Sequence, residues 1–145
     1  MWIYKRKTIT TLADIPKESF GFVYLITNLT NGRKYLGCKQ LFTKRKRRFG
    51  KREIAAMKDK RKKTYEYVVK ESNWLDYTGS NKDLNEDIKK GHKIKKEILI
   101  FVKTKKQLTY YEVKEQFKNS VLESDDWYNG NILKRFYNTE EYLNG

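Results

Sequence analysis

Two stretches of β-forming residues joined by an Asn-Gly turn constrain this chain more than any other feature. Residues 20–27 are rich in β-branched and aromatic side chains, and residues 33–38 resume a similar pattern. Between them lie Asn31 and Gly32, which both tolerate the positive φ angles of a tight hairpin turn. The sequence therefore predicts an antiparallel hairpin over residues 20–38.

The rest of the chain predicts one more strand and several helices. Residues 41–63 show a very basic helical pattern, and residues 81–90 a short helix. Ile94–Val102 has the composition of a third strand, and residues 105–122 follow as a helix with Thr104 as its N-cap. The expected fold class is α+β, with a small antiparallel sheet of about three strands flanked by helices.

The size and composition favour one soluble domain. A length of 145 residues fits a single domain over residues 1–145. The longest apolar run, Ile98–Val102, has five residues, whereas a membrane-spanning helix needs about twenty. The first residues show no secretory signal, and the single cysteine, Cys38, has no partner for an internal disulfide. The expected location is the cytoplasm, which is the bacterial host cytoplasm if the protein is phage-encoded.

The charge is high and uneven. The chain has a formal net charge of +15. Residues 33–63 contain fifteen Lys or Arg and two acids, whereas residues 119–145 contain five acids and two bases. A basic block of this size favours a nucleic-acid partner over a merely solvated face, although it also fits RNA or a membrane surface.

A paired tyrosine motif lies on the predicted hairpin. Zinc-finger and Cys/His sites need several of those ligands, and the chain has one histidine and one cysteine. The hairpin carries Gly21-Phe22-Val23-Tyr24, ten further residues, and then Tyr35-Leu36-Gly37. The pair resembles the motif of the GIY-YIG nuclease family, with apolar residues replacing the isoleucines.

Three further residues extend this resemblance. The family has an arginine about ten residues after its second tyrosine, on the following helix, and Arg45 lies ten after Tyr35. It has a glutamate on a later helix, where Glu112 lies, and an asparagine that often follows a tyrosine, as Asn129 follows Tyr128. The resemblance covers about residues 20–131. It includes the stretch Tyr77-Thr78-Gly79-Ser80, which is similar to phage and homing members.

The resemblance implies a metal-dependent DNA endonuclease of phage or mobile-element type. It assigns Glu112 to one Mg²⁺ or Mn²⁺ ion and Arg45 to the phosphate. It directs Tyr24 and Tyr35 at the attacking water and the phosphate, with Asn129 as a neutral orienting group. Each assignment has a neighbouring rival: Glu115 for the metal ion, Arg47 or Arg48 for the phosphate, and Asn131 for the orienting group. Since a free tyrosine titrates near pH 10, a basic role for Tyr24 requires nearby positive charge, which the predicted Arg-rich helix would supply.

The chain departs from the family in two places. Many members carry a histidine near the arginine, where this chain has Lys46-Arg47-Arg48-Phe49. Residues 51–73 look like a basic insertion relative to compact members. The residues expected to contact double-stranded DNA are Lys34, Lys39, Arg47, Arg48, Lys51 and Arg52.

Other functions share part of this pattern. A non-catalytic nucleic-acid-binding module, or a structural RNA-binding protein, explains the charge but not the motif spacing. A nuclease using an acid-x-lysine triplet, Glu112-Val113-Lys114, would need that triplet on a strand, and it lies in a helical pattern. Homing members usually carry a separate recognition domain, and the residues after 131 are too few for one. Low specificity, DNA reading by the insertion and targeting by a protein partner remain open.

Overall fold

The computed structural model describes residues 1–57 and 64–138. The chain divides into two compact units, a core unit of Met1–Leu41 with Asn73–Gly145 and a ribbon unit of Phe42–Ser72. In chain order the elements are β1 (Trp2–Tyr4), β2 (Lys7–Ile9), a 3-10 turn (Leu12–Asp14), β3 (Gly21–Asn28), β4 (Lys34–Gln40), β5 (Phe42–Arg48), α1 (Lys51–Ala56), β6 (Tyr65–Glu71), α2 (Lys82–Lys89), β7 (Ile94–Val102), α3 (Lys105–Lys118), β8 (Asn131–Ile132) and β9 (Phe136–Tyr137).

The core unit contains a five-stranded mixed sheet in the order β2-β1-β7-β3-β4. This arrangement confirms the α+β class, but the expected three strands are five. It also corrects the expected antiparallel sheet, because β1 is parallel to β7, with Ile3 opposite Glu97. The two added strands, β1 and β2, have three residues each, too few for a periodic pattern to stand out.

The predicted hairpin is confirmed. Strands β3 and β4 pair antiparallel, with Tyr24 opposite Gly37 and Ile26 opposite Tyr35. Gly32 adopts φ +78° in the connection, but Asn31 does not have a positive φ, so residues 29–33 form a five-residue loop instead of a two-residue Asn-Gly turn. Strand β7 pairs antiparallel with β3 on its other side, so β3 lies in the middle of the sheet and is buried along most of its length.

The predicted third strand and the two later helices are also confirmed. Strand β7 has the expected bounds, and α2 lies within one residue of its predicted ends. Helix α3 begins at Lys105, where the Thr104 hydroxyl accepts the Gln107 N–H, and it ends at Lys118 instead of Leu122. In the described ranges, no helix has the length and apolar character needed to cross a bilayer.

Two apolar clusters cover the two sides of the core sheet. Because side chains alternate along a strand, Phe22 and Tyr24 join one cluster and Val23 joins the other. The first cluster includes Trp2 and Trp74, and the Trp2 indole N–H donates to the Trp74 carbonyl at 2.7 Å. The second cluster is covered by α3. The sheet is thus held from both sides, which fixes the positions of the hairpin tyrosines.

The ribbon unit is a two-stranded antiparallel ribbon, β5 paired with β6. The helix predicted over residues 41–63 is therefore wrong over β5, and only Lys51–Ala56 is helical. Seven consecutive pairs, from Phe42 opposite Glu71 to Arg48 opposite Tyr65, decide in favour of the strand. The part of that prediction at residues 58–63 lies outside the described residues.

Candidate active site

Tyr24 and Tyr35 lie on the same side of the hairpin. Their ring centroids are 6.2 Å apart, and Tyr77 contacts Tyr24 at a centroid distance of 6.1 Å. Tyr24 is almost fully buried, with 1% of its surface exposed, whereas Tyr35 is half-buried. The two motif tyrosines therefore form one cluster in which Tyr35 is the more accessible.

Gly37 gives the Tyr24 side chain its place. A Cβ atom at residue 37 would lie 2.6 Å from the Tyr24 hydroxyl oxygen and 2.9 Å from Cζ, closer than non-bonded atoms approach. The first half of the motif therefore needs the glycine of the second half, because Tyr24 crosses the strand where Gly37 has no side chain.

Both tyrosine hydroxyls are set to remain protonated. Burial, reinforced by Tyr35 and Tyr77, raises the pKa of Tyr24 well above its usual value. Burial also raises the pKa of Tyr35, although a hydrogen bond with Ser80 opposes the shift. The lowered pKa that a basic role for Tyr24 requires is not found, because burial dominates and the charged or polar neighbours of Tyr24 raise its pKa further. Tyr24 and Tyr35 are suited to donate hydrogen bonds.

Asn129 completes the free edge of β4. Its side-chain Oδ1 accepts the Leu36 N–H at 3.0 Å, and its Nδ2 donates to the Leu36 carbonyl at 2.8 Å. Next to it, the Tyr128 N–H donates to the Lys34 carbonyl at 2.7 Å. Asn129 is 3% exposed, so its carboxamide is fully committed to the backbone. The expected orienting role of Asn129 thus has a geometric basis.

Glu112 lies further along the same edge. It is half-buried on α3, next to the backbone N–H and the thiol of Cys38. Burial raises the pKa of Glu112, although the polar hydrogens of Cys38 act to lower it, and burial raises the pKa of the Cys38 thiol as well. The carboxylate therefore carries a charge that burial disfavours, which leaves it ready for a cationic partner.

A single polar groove joins the edge residues of the core unit. Tyr35, Glu112 and Asn129 share its wall with Ser80 and Gln116, and its volume is about 430 Å³. Tyr35 enters from one side of the sheet, whereas Glu112 enters from the side covered by α3. The edge strand β4 makes this possible, because a groove along an edge is open to both sides.

The basic residues predicted to contact DNA are divided between the core unit and the ribbon unit. In the core unit Lys34 is exposed, and the Lys39 ammonium lies 4.0 Å from the Tyr77 ring centroid. In the ribbon unit Arg45 lies on β5, where the resemblance implied a helix, and its side chain is exposed. The exposed side chains of Lys51 and Arg52 lie in the first turn of α1.

Arg47 and Arg48 differ in their surroundings. The Arg47 guanidinium is held by Glu66 at 2.7 Å and by Glu53 at 3.0 Å, and the two carboxylates raise its pKa. Arg48 is exposed. Arg47 ties β5 to β6 and α1, so its charge is largely balanced inside the ribbon unit.

Sequence reasoning missed several residues around the groove. Gln116 follows Glu112 by four residues, so helical periodicity places both on one side of α3, and Gln116 Nε2 donates to the Leu36 carbonyl at 3.2 Å. Tyr77 belongs to a stretch already noted for its resemblance. The contact of Cys38 with Glu112 has no local signal, because it depends on the packing of α3 against β4.

One carboxylate of the groove is suited to a metal ion. Among the described ranges, no group of three or more His, Cys, Asp or Glu side chains is arranged to hold a cation. Glu112 is the acid that lines the groove, and the neutral hydroxyl oxygen of Tyr35 lines it as well. Mg²⁺ commonly takes one or two carboxylates and completes its shell with waters and substrate phosphate, so this donor set fits it.

Comparison with protein families gives a match over most of the chain. The family described as "Putative endonuclease segE, GIY-YIG domain" matches residues 2–132. Comparisons with curated proteins and with solved structures give no significant match. The matched range includes the paired tyrosine motif, the ribbon unit, α3 and Asn129.

Proposed function

Because the chain belongs to the GIY-YIG endonuclease family, we propose that it hydrolyses phosphodiester bonds of double-stranded DNA with one divalent metal ion. The family match supports nuclease activity on DNA. Metal dependence and an origin in a phage or mobile element are parts of the proposal, as is a cytoplasmic location.

The shared groove of Tyr35, Glu112 and Asn129 is the observation that carries this proposal. These residues are distant in the chain, yet each belongs to a separate part of the family motif. Hydrolysis needs a water, a stabiliser for the charge on phosphorus and help for the leaving oxygen. A polar groove of about 430 Å³ has room for a phosphate and several waters.

Glu112 would hold the metal ion. When bound, a divalent ion supplies charge that polarises the phosphate and stabilises the leaving oxygen. The raised pKa of Glu112 supports this role, because a cation compensates the burial that disfavours its charge. Asn129 would act indirectly, by fixing Leu36 and hence the edge of β4 on which Tyr35 and Cys38 lie.

The tyrosines and Arg45 are the residues proposed to act on phosphate, each within its own unit. The raised pKa values keep Tyr24 and Tyr35 protonated. The accessible Tyr35 hydroxyl would donate a hydrogen bond to a phosphate oxygen or to the attacking water, and the buried Tyr24 would support it by packing against its ring. Arg45 would present a planar guanidinium to two phosphate oxygens. The charged residues that would hold the flanking DNA are Lys34, Lys39, Arg48, Lys51 and Arg52, with Arg47 in a supporting position.

A plasmid-cleavage assay tests the proposal. Purified protein is incubated with supercoiled DNA and either Mg²⁺ or Mn²⁺, and a parallel sample contains EDTA. We expect nicked or linear products only with the metal. Products that persist in EDTA would contradict the metal dependence. If DNA is bound but stays intact under every metal condition, the chain is a non-catalytic binding module.

A further inference from the structure

We propose that one side of the ribbon unit enters the major groove of double-stranded DNA and reads the substrate. This inference rests on the proposed function, since it names the surface that selects where the nuclease binds. Alternation along β5 and β6 separates the ribbon into two sides. The tyrosine–lysine face consists of Phe42, Lys44, Lys46, Arg48, Tyr65, Tyr67, Val69 and Glu71.

The tyrosine–lysine face combines exposed apolar and basic groups. Tyr67 is 52% exposed and Val69 is 63% exposed, although large apolar side chains are usually covered. The Lys44 ammonium lies 4.4 Å from the Tyr67 ring centroid, and Lys46 lies 3.9 Å from that of Tyr65. The rings thus hold two exposed ammonium groups in place before a partner arrives.

On the opposite side of the ribbon, a basic side chain is paired with acidic side chains of the same unit. This side carries Arg47, whose guanidinium is bound by Glu53 and Glu66. These ion pairs attach α1 and β6 to β5, so Arg47 stabilises the ribbon itself. The opposite side also carries the exposed Arg45, which would hold a single phosphate, so the tyrosine–lysine face is the better candidate for the extended contact in the groove.

The charge of the ribbon unit selects a polyanion. Residues 42–72 contain thirteen Lys or Arg and four Asp or Glu, a net of +9 within 31 residues. Two such units repel each other, which argues against a second copy of this chain as the occupant. A phosphate backbone gains counterion release from the same charge.

The shape of the ribbon selects B-form DNA. Paired strands lie about 4.8 Å apart, and the major groove, about 12 Å wide, admits a two-stranded ribbon. There Lys44, Lys46 and Arg48 would reach guanine acceptors or phosphates, while Phe42 and Val69 would meet thymine methyl groups. The deep and narrow major groove of A-form RNA excludes a ribbon of this width.

Binding measurements on full-length Glu112→Gln protein test this inference without cleavage. A labelled DNA duplex is titrated over a range of salt concentrations with Lys44→Gln/Lys46→Gln in that background. The matched control, Lys70→Gln/Lys103→Gln, removes two exposed positive charges outside the tyrosine–lysine face. We expect the first pair to weaken binding about tenfold or more and to flatten the salt slope by roughly 2 units, with a clearly smaller loss in the control.

Two further measurements test which side of the ribbon binds DNA and which groove of the DNA it occupies. Tyr67→Ser should weaken duplex binding more than Val68→Ser, its neighbour on the opposite side. Methyl green, which occupies the major groove, should compete with the protein, whereas netropsin in the minor groove should not. Equal losses in both lysine pairs, competition by netropsin alone, or equal affinity for an RNA duplex would overturn the inference.

These results are separable from a failure of the proposed function. If wild-type protein cuts DNA while the ribbon substitutions leave binding unchanged, the proposed nuclease function is supported and the proposed DNA contact of the ribbon is wrong. If the ribbon substitutions weaken binding but no metal supports cutting, the interface stands and the nuclease proposal fails.

Discussion

The core unit and the ribbon unit use lysine in opposite ways. Lys96 of the core sheet is 7% exposed, donates to the Leu75 carbonyl at 2.9 Å and lies over the Trp2 ring. Burial lowers its pKa to about 8. Lys44 and Lys46 of the ribbon also lie over aromatic rings, but their ammonium groups are exposed. The same contact fixes the fold in one unit and presents charge in the other.

The contrast extends to the whole of both units. The ribbon unit holds a net charge of +9 in 31 residues, and the other 114 residues share +6. In the described part of the chain, every buried side-chain nitrogen or oxygen has a hydrogen-bond partner. We therefore expect core substitutions to change chemistry or stability and ribbon substitutions, apart from those at Arg45, to change binding.

The largest effect is expected at Glu112 in the core unit. Glu112→Gln keeps the size of the side chain but removes the charge that would hold the metal ion, so cleavage should fall by about 10²- to 10³-fold. DNA affinity and the unfolding midpoint should remain close to those of the parent, as measured by anisotropy and urea titration.

The control for that prediction is Glu115→Gln on the same helix. Glu115 does not line the groove of Tyr35, Glu112 and Asn129. Cleavage that survives Glu112→Gln and fails with Glu115→Gln would place the metal ligand one helical turn away. If both variants cut DNA as fast as the parent, neither glutamate of α3 takes part in the reaction.

The second effect is a loss of stability at Gly37. Gly37→Ala puts a Cβ 2.6 Å from the Tyr24 hydroxyl, so we expect a cost of about 1–3 kcal/mol in the free energy of unfolding. Gly50→Ala is the ribbon counterpart, since its Cβ meets only the Glu53 carboxylate, at 3.9 Å. Equal urea midpoints for the two variants would contradict the tight packing of the motif.

A third effect, of about 1–3 kcal/mol, is expected at Asn129. Asn129→Ala leaves the buried Leu36 N–H without its acceptor, which costs the desolvation of that group. Cleavage should also decrease, because the edge beside Tyr35 and Glu112 is loosened. Asn131→Ala serves as the control for stability alone, because Asn131 also lines the groove and its side chain, among the described residues, accepts just the nearby Lys134 N–H. A stability loss confined to Asn131→Ala would show that the wrong asparagine was assigned.

The smallest effect on stability is expected in the ribbon. Tyr67→Ser and Val69→Ser alter exposed side chains, so each should change the free energy of unfolding by at most about 0.5–1 kcal/mol. A loss as large as that of Gly37→Ala would mean that the tyrosine–lysine face is packed and is not a free surface, and the contrast between the units would fail.

Local signals made the hairpin, β7 and α3 predictable. Each depends on residues close in sequence, such as the Asn-Gly pair or the cap at Thr104. Strand β1 was not predictable, since three residues give no pattern and its parallel pairing with β7 joins Ile3 to Glu97 across most of the chain. Strand β5 was mistaken for a helix because successive Lys and Arg carry no period, and pairing with β6 decides its structure.

For the candidate site, too, the identities of the residues were predictable from the sequence and their surroundings were not. The spacing of the tyrosines and the order of Arg45, Glu112 and Asn129 came from the family resemblance. Their surroundings came from packing, as with Cys38 against Glu112 or Tyr77 against Tyr24. The protonation of Tyr24 was likewise out of reach, because it follows from a burial that only the folded core creates.

Asn129 also bears on self-association. An uncovered strand edge is a template on which another polypeptide can add a strand, and such addition leads to aggregation. Through one carboxamide, Asn129 takes up the N–H and the carbonyl that Leu36 would offer to that strand. Asn129 therefore both shapes the groove and prevents another strand from pairing with β4. We expect its loss to promote aggregation as well as to slow DNA cleavage.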